Sequence, residues 1–226
     1  MTAEPRQLPV TALVVAKAPV PGLAKTRLAA ALGADAAADI AAAALLDTLD
    51  AVADTPVEAR VVAMTGDLRH ACRAPEIRDR LAAFTVVEQR GDDFAARLVN
   101  AHADAAAATG RPVLQIGMDT PQVSPALLAD CARALLSAPA VLGMASDGGW
   151  WVLGVAEPAT AKCLLDVPMS RSDTGAVTLR ALQHTGVSVT LVPELRDVDT
   201  VDDIVAVRNE CGPFGRFAAT TREAGV

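Results

Sequence analysis

The sequence predicts a doubly wound α/β protein on a mixed, mostly parallel sheet, and three observations carry that expectation. Apolar runs with the length and β-branched content of buried strands recur at Thr11–Ala16, Val57–Met64, Phe84–Glu88 and Val113–Gly117. Helical patterns fill the gaps, at Ala36–Ala53, Asp67–Leu81, Asp93–Thr109 and Pro125–Ser137, which is the alternation of βαβ units. After Gly143 the rhythm changes: the runs Ala140–Met144 and Trp150–Val155 are separated by a short turn containing Asp147-Gly148-Gly149, which predicts two antiparallel strands joined by a hairpin.

Each element has its own cue. The first strand ends at Lys17, where a Pro/Gly loop interrupts it, and an Ala/Leu helix resumes from about Ala24. The long stretch Ala36–Ala53 is alanine-rich, so it favours helix while contributing little core volume. Beyond the hairpin, the polar segment Pro168–Gly175 leads into a helix at Ala176–His184, and Val187–Val192 is the last strand. Arg196 to Ile204 then begins as a strand end and becomes a helix capped by Thr200, with Asp202 and Asp203 in its first turn, where negative charge suits the helix dipole. From about Gly212 periodicity is lost and the chain is expected to be poorly ordered. The whole, residues 1–226 with a core of about 10–208, is expected to be one domain.

Composition excludes several classes of function. Hydrophobic content of 52% is ample for a core, whereas aromatics at 3% and a net charge of −7 argue against a nucleic-acid surface built on stacking and basic stripes. No apolar run reaches the roughly 18 residues of a membrane span, and no apolar leader opens the chain, so a cytoplasmic protein without a membrane partner is the expectation. Cys72, Cys131, Cys163 and Cys211 are scattered without metal-ligand spacing and read as reduced thiols. His70, His102 and His184 lie in helical stretches without a Ser or Cys partner, so a hydrolase triad has little support.

The chemistry concentrates where strands end. Between Ala16 and Leu28, Lys17, Lys25 and Arg27 surround a loop whose Gly22 permits close backbone approach. Three cations before a helix N-terminus suit a polyphosphate, hence a nucleotide. The stretch matches neither the P-loop nor the dinucleotide-binding glycine pattern. Asp119 stands directly after the buried strand Val113–Gly117, at the carboxyl edge where open α/β sheets bind ligands, and Mg²⁺ or Mn²⁺ needs only one or two such carboxylates. The second carboxylate is Asp199 or Asp197, one of the two being a structural partner of Arg196. Asp147, Gly148 and Gly149 either form only the hairpin turn or let a small substrate approach the main chain. Ser170, Asp173 and Thr174 either cap the following helix or hold an anionic acceptor.

Taken together, Ala16–Leu28, Gly117–Gln122, Asp147–Trp151 and Asp197–Thr200 resemble the bacterial radical-SAM/selenodomain-associated transferase 1 family of the nucleotide-diphospho-sugar transferase (glycosyltransferase A-type) superfamily. That resemblance implies a Rossmann-like three-layer sandwich. The spacing of Lys17, Lys25, Arg27 and Leu28 is also similar to that of the 2-phospho-lactate/phosphoenolpyruvate guanylyltransferases. By that resemblance Ala16, Lys17, Gly22, Lys25 and Arg27 would bind the nucleotide, with the three cations also catalytic, and Asp119 and Asp199 would hold the metal. The acceptor region departs from the guanylyltransferases. The expected function is nucleotidyl transfer from an NTP, with GTP a candidate, to a small anionic acceptor with release of pyrophosphate. Sugar transfer from an NDP-sugar and non-catalytic nucleotide binding are the alternatives, and a homodimer is compatible with each. The alternatives for a Lys or Arg of the loop are to hold the acceptor or to form a salt bridge with Asp119 in the empty enzyme.

Overall fold

The computed structural model describes residues 7–212 and 215–226. Its strands are β1 (Leu8–Lys17), β2 (Val57–Thr65), β3 (Thr85–Glu88), β4 (Val113–Gly117), β5 (Ala140–Ala145), β6 (Trp150–Val155) and β7 (Val189–Leu195). They form one sheet in the order β3-β2-β1-β4-β6-β5-β7. Strand β1 is central because its side chains alternate between two buried faces: Val10, Ala12, Val14 and Ala16 join one core, Leu13 and Val15 the other. A strand apolar on both faces has to be covered on both, which is the signature of parallel α/β sheets.

Strands β1, β2, β3 and β4 are mutually parallel where they pair, as are β5 and β7. Strand β6 runs antiparallel to both of its neighbours, β4 and β5, so the hairpin read from Asp147-Gly148-Gly149 inserts one reversed strand. The sheet is mixed and mostly parallel, as the sequence predicts.

The helices are α1 (Thr26–Leu32), α2 (Ala34–Asp54), α3 (Ala74–Leu81), α4 (Phe94–Thr109), α5 (Pro125–Ser137), α6 (Thr174–His184), α7 (Val201–Glu210) and α8 (Arg216–Glu223). Helices α2, α3 and α5 cover one face of the sheet. Helices α4 and α6, with a 3-10 segment at Pro158–Asp166, cover the other. Helix α2 is buried along most of its length, between the sheet and a third core that includes Leu28, Val198, Ile204, Val207 and Phe217. Its alanines make that possible, since small side chains let neighbours approach from several sides at once.

Three expectations are corrected. The stretch Asp67–Leu81 is a 3-10 turn, Leu68–His70, followed by α3, because Arg73 adopts a left-handed backbone (φ 52°) and Pro75 fits only the first turn of a new helix. The last strand starts at Val189 rather than Val187 and extends to Leu195. The C-terminal segment holds a helix, α8. Asp47 of α2 accepts hydrogen bonds from the backbone N–H groups of Arg216 (3.0 Å) and Phe217 (2.9 Å). Arg73 bonds both Asp39 and Thr220, tying α8 to α2 from a second direction.

Phe217 is fully buried, and emptying such a site costs about 3–5 kcal/mol. Phe217→Ala should therefore lower the melting temperature by roughly 6 °C or more for a chain of this size. A drop under about 2 °C in a thermal scan would show that α8 is not part of the cooperative core.

Candidate active site

Asp119 follows β4, and Gly117 lets it fold back, since a Cβ there would lie 2.9 Å from Asp119 Oδ1. The chain leaving β7 at the far edge of the sheet returns across the carboxyl ends of the strands, and the Val198 N–H donates to the Asp119 carbonyl at 3.2 Å. Val198 is buried, so the residues flanking it, Asp197 and Asp199, are delivered beside Asp119. A carboxylate oxygen from each of Asp119, Asp197 and Asp199 lies within 4.8 Å of the others. Asp203 holds the segment in place by accepting from the Thr200 backbone N–H and hydroxyl, both at 2.8 Å.

Lys25 occupies this acidic cluster. Its ammonium donates to Asp119 Oδ2 at 2.8 Å and Asp199 Oδ1 at 3.0 Å, with the side chain 13% exposed. The residue adopts a left-handed backbone (φ 46°), a conformation that costs a non-glycine residue about 1–3 kcal/mol and persists only where its surroundings dictate it. Burial works against the Lys25 charge, but the charges and hydrogen bonds of Asp119 and Asp199 more than offset it and raise the pKa. The loop cation paired with Asp119 is thus Lys25. Arg27 donates to Asp199 Oδ2 at 3.1 Å while its side chain stays 70% exposed, and the Lys17 ammonium donates to the Leu23 carbonyl at 2.8 Å. Gly22 has φ 76°, and a Cβ added to it would meet nothing within 4 Å. The glycine is required by the turn rather than by close approach of another group.

Asp197 makes no ion pair among the described residues. Burial, and then the neighbouring charges of Asp119, Asp147 and Asp199, push its pKa up to about 7. Arg196 pairs with Asp203 at 3.5 Å, so neither Asp197 nor Asp199 is its partner as the sequence suggested.

These residues stand in a cleft of about 610 Å³ on the carboxyl edge of the sheet. Lys17, Arg27, Asp119, Asp147, Asp197 and Asp199 line it together with Phe94, Arg97, Gln115, Trp150, Met169 and the segment Ser170–Ser172. Asp147 accepts from the Gly149 N–H at 2.7 Å and forms the hairpin turn. Gly148 is needed for contact within the protein, because a Cβ there would lie 1.8 Å from the Ser172 carbonyl, and the Gly175 N–H donates to the Gly148 carbonyl at 2.8 Å. Thr174 also lines the cleft, but its hydroxyl accepts from the Arg171 N–H and donates to the Pro168 carbonyl. Asp173 pairs with Arg171 at 3.2 Å. Ser170, in a left-handed conformation (φ 60°), faces the cleft.

Sequence reasoning left Asp197 as an alternative to Asp199, whereas both join Asp119. It missed Phe94, Arg97 and Gln115. One signal was present for Gln115, an amide inside the apolar run Val113–Gly117. The residue is only 2% exposed, and its amide lies beside the buried ring of His102.

The oxygen-only donor set is the kind that Mg²⁺ or Mn²⁺ takes, completed by phosphate oxygens and water. No helix among the described residues is long and apolar enough to cross a membrane.

Solved structures share this architecture. A Desulfovibrio desulfuricans G20 protein, provisionally assigned as a nucleotide-diphospho-sugar transferase, superposes with a TM-score of 0.81 at 25% identity over 96% of this chain and 95% of that one. A nucleotidyl transferase from Methanothermobacter thermautotrophicus gives 0.55 at 18% identity, covering 93% and 98%. The Rv0371c protein of Mycobacterium tuberculosis H37Rv in complex with manganese gives 0.54 at 20% identity, covering 88% and 97%. The fold is therefore that of the nucleotide-diphospho-sugar transferases, of glycosyltransferase A type. The family model described as "Uncharacterized protein conserved in bacteria (DUF2064)" matches residues 48–171, more than half of the chain, and the protein belongs to that family. No curated protein matches the sequence.

Two outcomes test the electrostatics. Asp197 titrates near pH 7 in the fold against 3.8 ordinarily, so the folded state keeps a proton that the unfolded chain has lost, and stability falls as pH rises between those values. Asp197→Asn should therefore raise the melting temperature in EDTA at pH 8 while weakening Mn²⁺ binding in calorimetry. A variant no more stable than the parent would refute the crowding. Lys25→Met should tighten Mn²⁺ binding several-fold in nucleotide-free protein, because a metal no longer competes with the ammonium for Asp119 and Asp199. Weaker or unchanged binding would show that the ion and Lys25 do not share a site.

Proposed function

We propose that the protein is a metal-dependent nucleotidyltransferase that moves a nucleoside monophosphate from an NTP, with GTP a candidate, to a small anionic acceptor. Within the superfamily we place it in the radical-SAM/selenodomain-associated transferase 1 group, acting in the cytoplasm as one catalytic domain. The observation that carries the reading is the convergence of Asp119, Asp197 and Asp199, which line a cleft large enough for a nucleotide, with Lys25 and Arg27.

In the reaction an acceptor oxygen forms a bond to the α-phosphorus as the bond to the pyrophosphate oxygen breaks. An anionic acceptor arrives without a proton to remove, so no general base is required and catalysis rests on positioning and charge. Mg²⁺ or Mn²⁺ held by Asp119 and Asp199, with Asp197 at hand, would neutralise phosphate charge and orient the α-phosphate. Lys17 and Arg27 bind the phosphates, Arg27 with a planar fork suited to two oxygens at once. Lys25, released from its carboxylates, turns its ammonium to the same phosphates.

Sugar transfer from an NDP-sugar is the second reading. It is favoured by the Desulfovibrio desulfuricans structure, which combines a TM-score of 0.81 with its provisional assignment to that class. Three basic side chains suit the greater charge of a triphosphate, and on that ground nucleotidyl transfer is preferred.

A thermal-shift panel of the four NTPs and the matching NDP-sugars with Mn²⁺ separates the readings. An NTP at 100 times its dissociation constant should stabilise the free protein by about 2.7 kcal/mol, or roughly 5–10 °C, its NDP-sugar at the same concentration should do so by less, and EDTA should abolish the shift. Arg27→Lys should weaken NTP binding several-fold. Preference for an NDP-sugar, with nucleoside diphosphate and no pyrophosphate released in turnover, would overturn the proposal.

A further inference from the structure

The connection between β3 and α4 closes over the carboxyl ends of the neighbouring strands. Gln89 directly follows β3, and its Nε2 donates to the Ala63 carbonyl on β2 at 2.9 Å and to the Ala16 carbonyl on β1 at 2.8 Å. The next residue, Arg90, accepts from Asn100 Nδ2 of α4 through its carbonyl at 2.7 Å. Gly91 packs on α4 so closely that an added Cβ would lie 2.9 Å from the Arg97 backbone nitrogen, and its φ of 139° is one that side-chain-bearing residues rarely adopt. Residues 89–91 therefore run against residues 96–100 and bring Gln89 and Arg97 into one wall. Both line the cleft, as does Phe94 at the start of α4.

These three side chains are complementary in what they offer. A backbone carbonyl only accepts, so the Ala16 and Ala63 carbonyls hold Nε2 of Gln89 toward the strands and turn Oε1 away from them. Oε1 is thus an acceptor of fixed direction, and it takes no hydrogen bond among the described residues. Arg97 supplies donors. Its side chain makes no hydrogen bond or ion pair among the described residues, with Nε shielded from solvent, whereas Arg27 and Arg171 in the same cleft pair with Asp199 and Asp173. Shielded polar groups without a partner point to a ligand that completes them. Phe94 adds a planar apolar surface, 46% exposed.

A planar group that carries acceptors and donors along its edge fits such a wall, and a nucleobase is that group. Among the bases, guanine matches best. The guanidinium fork takes guanine O6 and N7 together, and guanine then presents two adjoining donors, N1–H and the N2 amine, to a lone acceptor such as Oε1. An amide reads adenine with both of its polar atoms, and here Nε2 is held by the main chain. Cytosine and uracil each offer Oε1 one donor group, and a smaller ring to stack on Phe94. The Ala16 carbonyl that anchors Gln89 directly precedes Lys17, so this wall adjoins the residue proposed above to bind phosphates.

We infer that Gln89, Arg97 and Phe94 read the base of the donor nucleotide, and that the base is guanine. The inference rests on the proposed use of a nucleotide donor, and it applies equally to GTP and to a GDP-sugar.

The test is a calorimetric titration of the full chain, in Mn²⁺, with GTP, ITP, ATP, CTP, UTP and inorganic tripolyphosphate, repeated on Gln89→Leu and Arg97→Lys. GTP should bind tightest, and ITP, which lacks the N2 amine, roughly fivefold less tightly. In Gln89→Leu the two should bind alike. Arg97→Lys keeps the charge and loses the fork, so GTP affinity should fall roughly tenfold and its lead over the other NTPs should disappear. Tripolyphosphate should bind all three proteins alike, which also reports that the variants fold. Should Gln89→Leu fail to fold, Arg97→Lys decides. Tighter binding of ATP, CTP or UTP than of GTP, or a GTP lead that survives Arg97→Lys, would overturn the inference and leave the transferase reading standing. Loss of tripolyphosphate binding in a folded Arg97→Lys would give Arg97 to the phosphates and overturn it as well. A protein that binds none of the nucleotides would remove both readings.

Discussion

Lys25 brings one positive charge to a place where three segments of chain each deliver negative charge: Asp119 after β4, Asp147 in the hairpin, and Asp197 with Asp199 after β7. Without a cation such a gathering would be driven apart, since like charges at this range repel strongly in a partly buried setting. Removing one partner of a buried ion pair costs about 3–5 kcal/mol. That is enough to hold Lys25 in its left-handed conformation, whose cost is about 1–3 kcal/mol. The contact ties the strained loop to the segment that leaves β7, which the Val198–Asp119 backbone bond and Asp203 hold independently. It also explains why the loop has a lysine at that position: a long flexible stem can reach into the cluster and withdraw again, which a shorter or planar cation would do less readily.

The sheet was largely legible in the sequence because its strands are bounded by turn residues and spaced by helical patterns. The reversed strand β6 was legible too, since Asp147-Gly148-Gly149 leaves too few residues for anything but a hairpin. What could not be read were contacts between distant segments. Helix α8 is short and buries threonines beside Phe217, so no apolar period announces it, and it is held by Asp47 and Arg73 from far along the chain. In the site, Lys25, Arg27, Asp119 and Asp199 were named from strand ends, and Asp197 was the alternative to Asp199, whereas both stand beside Asp119. The strand-end rule identifies the edge on which residues gather but does not count them. Arg97 and Gln115 escaped because they lie within a helix and a strand, where a polar residue is ordinarily a solvated or satisfied one.

Gly148 and Gly175 join two segments that line the cleft. Each approaches the other's segment more closely than a side chain would allow, a Cβ on Gly175 lying 2.3 Å from the Gly149 carbonyl. The hairpin and the segment Ser170–Thr174 therefore pack as a unit. Asp147 from the first and Ser170 with Met169 from the second line the cleft and move together if they move at all. A scaffold of this kind fixes lining groups relative to one another by backbone contact, and reaction rates depend steeply on such distances.

The charge of the protein gives the proposed metal dependence its physical reason. The chain carries a net −7, and the cleft places Asp119, Asp147, Asp197 and Asp199 against Lys17, Lys25 and Arg27. Such a site offers a polyphosphate little net attraction, and the cations best placed to bind one are already engaged by carboxylates. A divalent ion changes both terms under the proposed function. Held by Asp119, Asp197 and Asp199, it would offset their charge, and Lys25 and Arg27 would be free for the phosphates. Metal and nucleotide would then bind cooperatively, because each removes an obstacle to the other: the ion releases the cations, and the phosphates complete the ion's coordination. On this reading the acidic triad is not merely a holder for the ion. It also keeps the basic loop occupied until the ion arrives, so the nucleotide meets its full complement of positive charge only when the metal is in place.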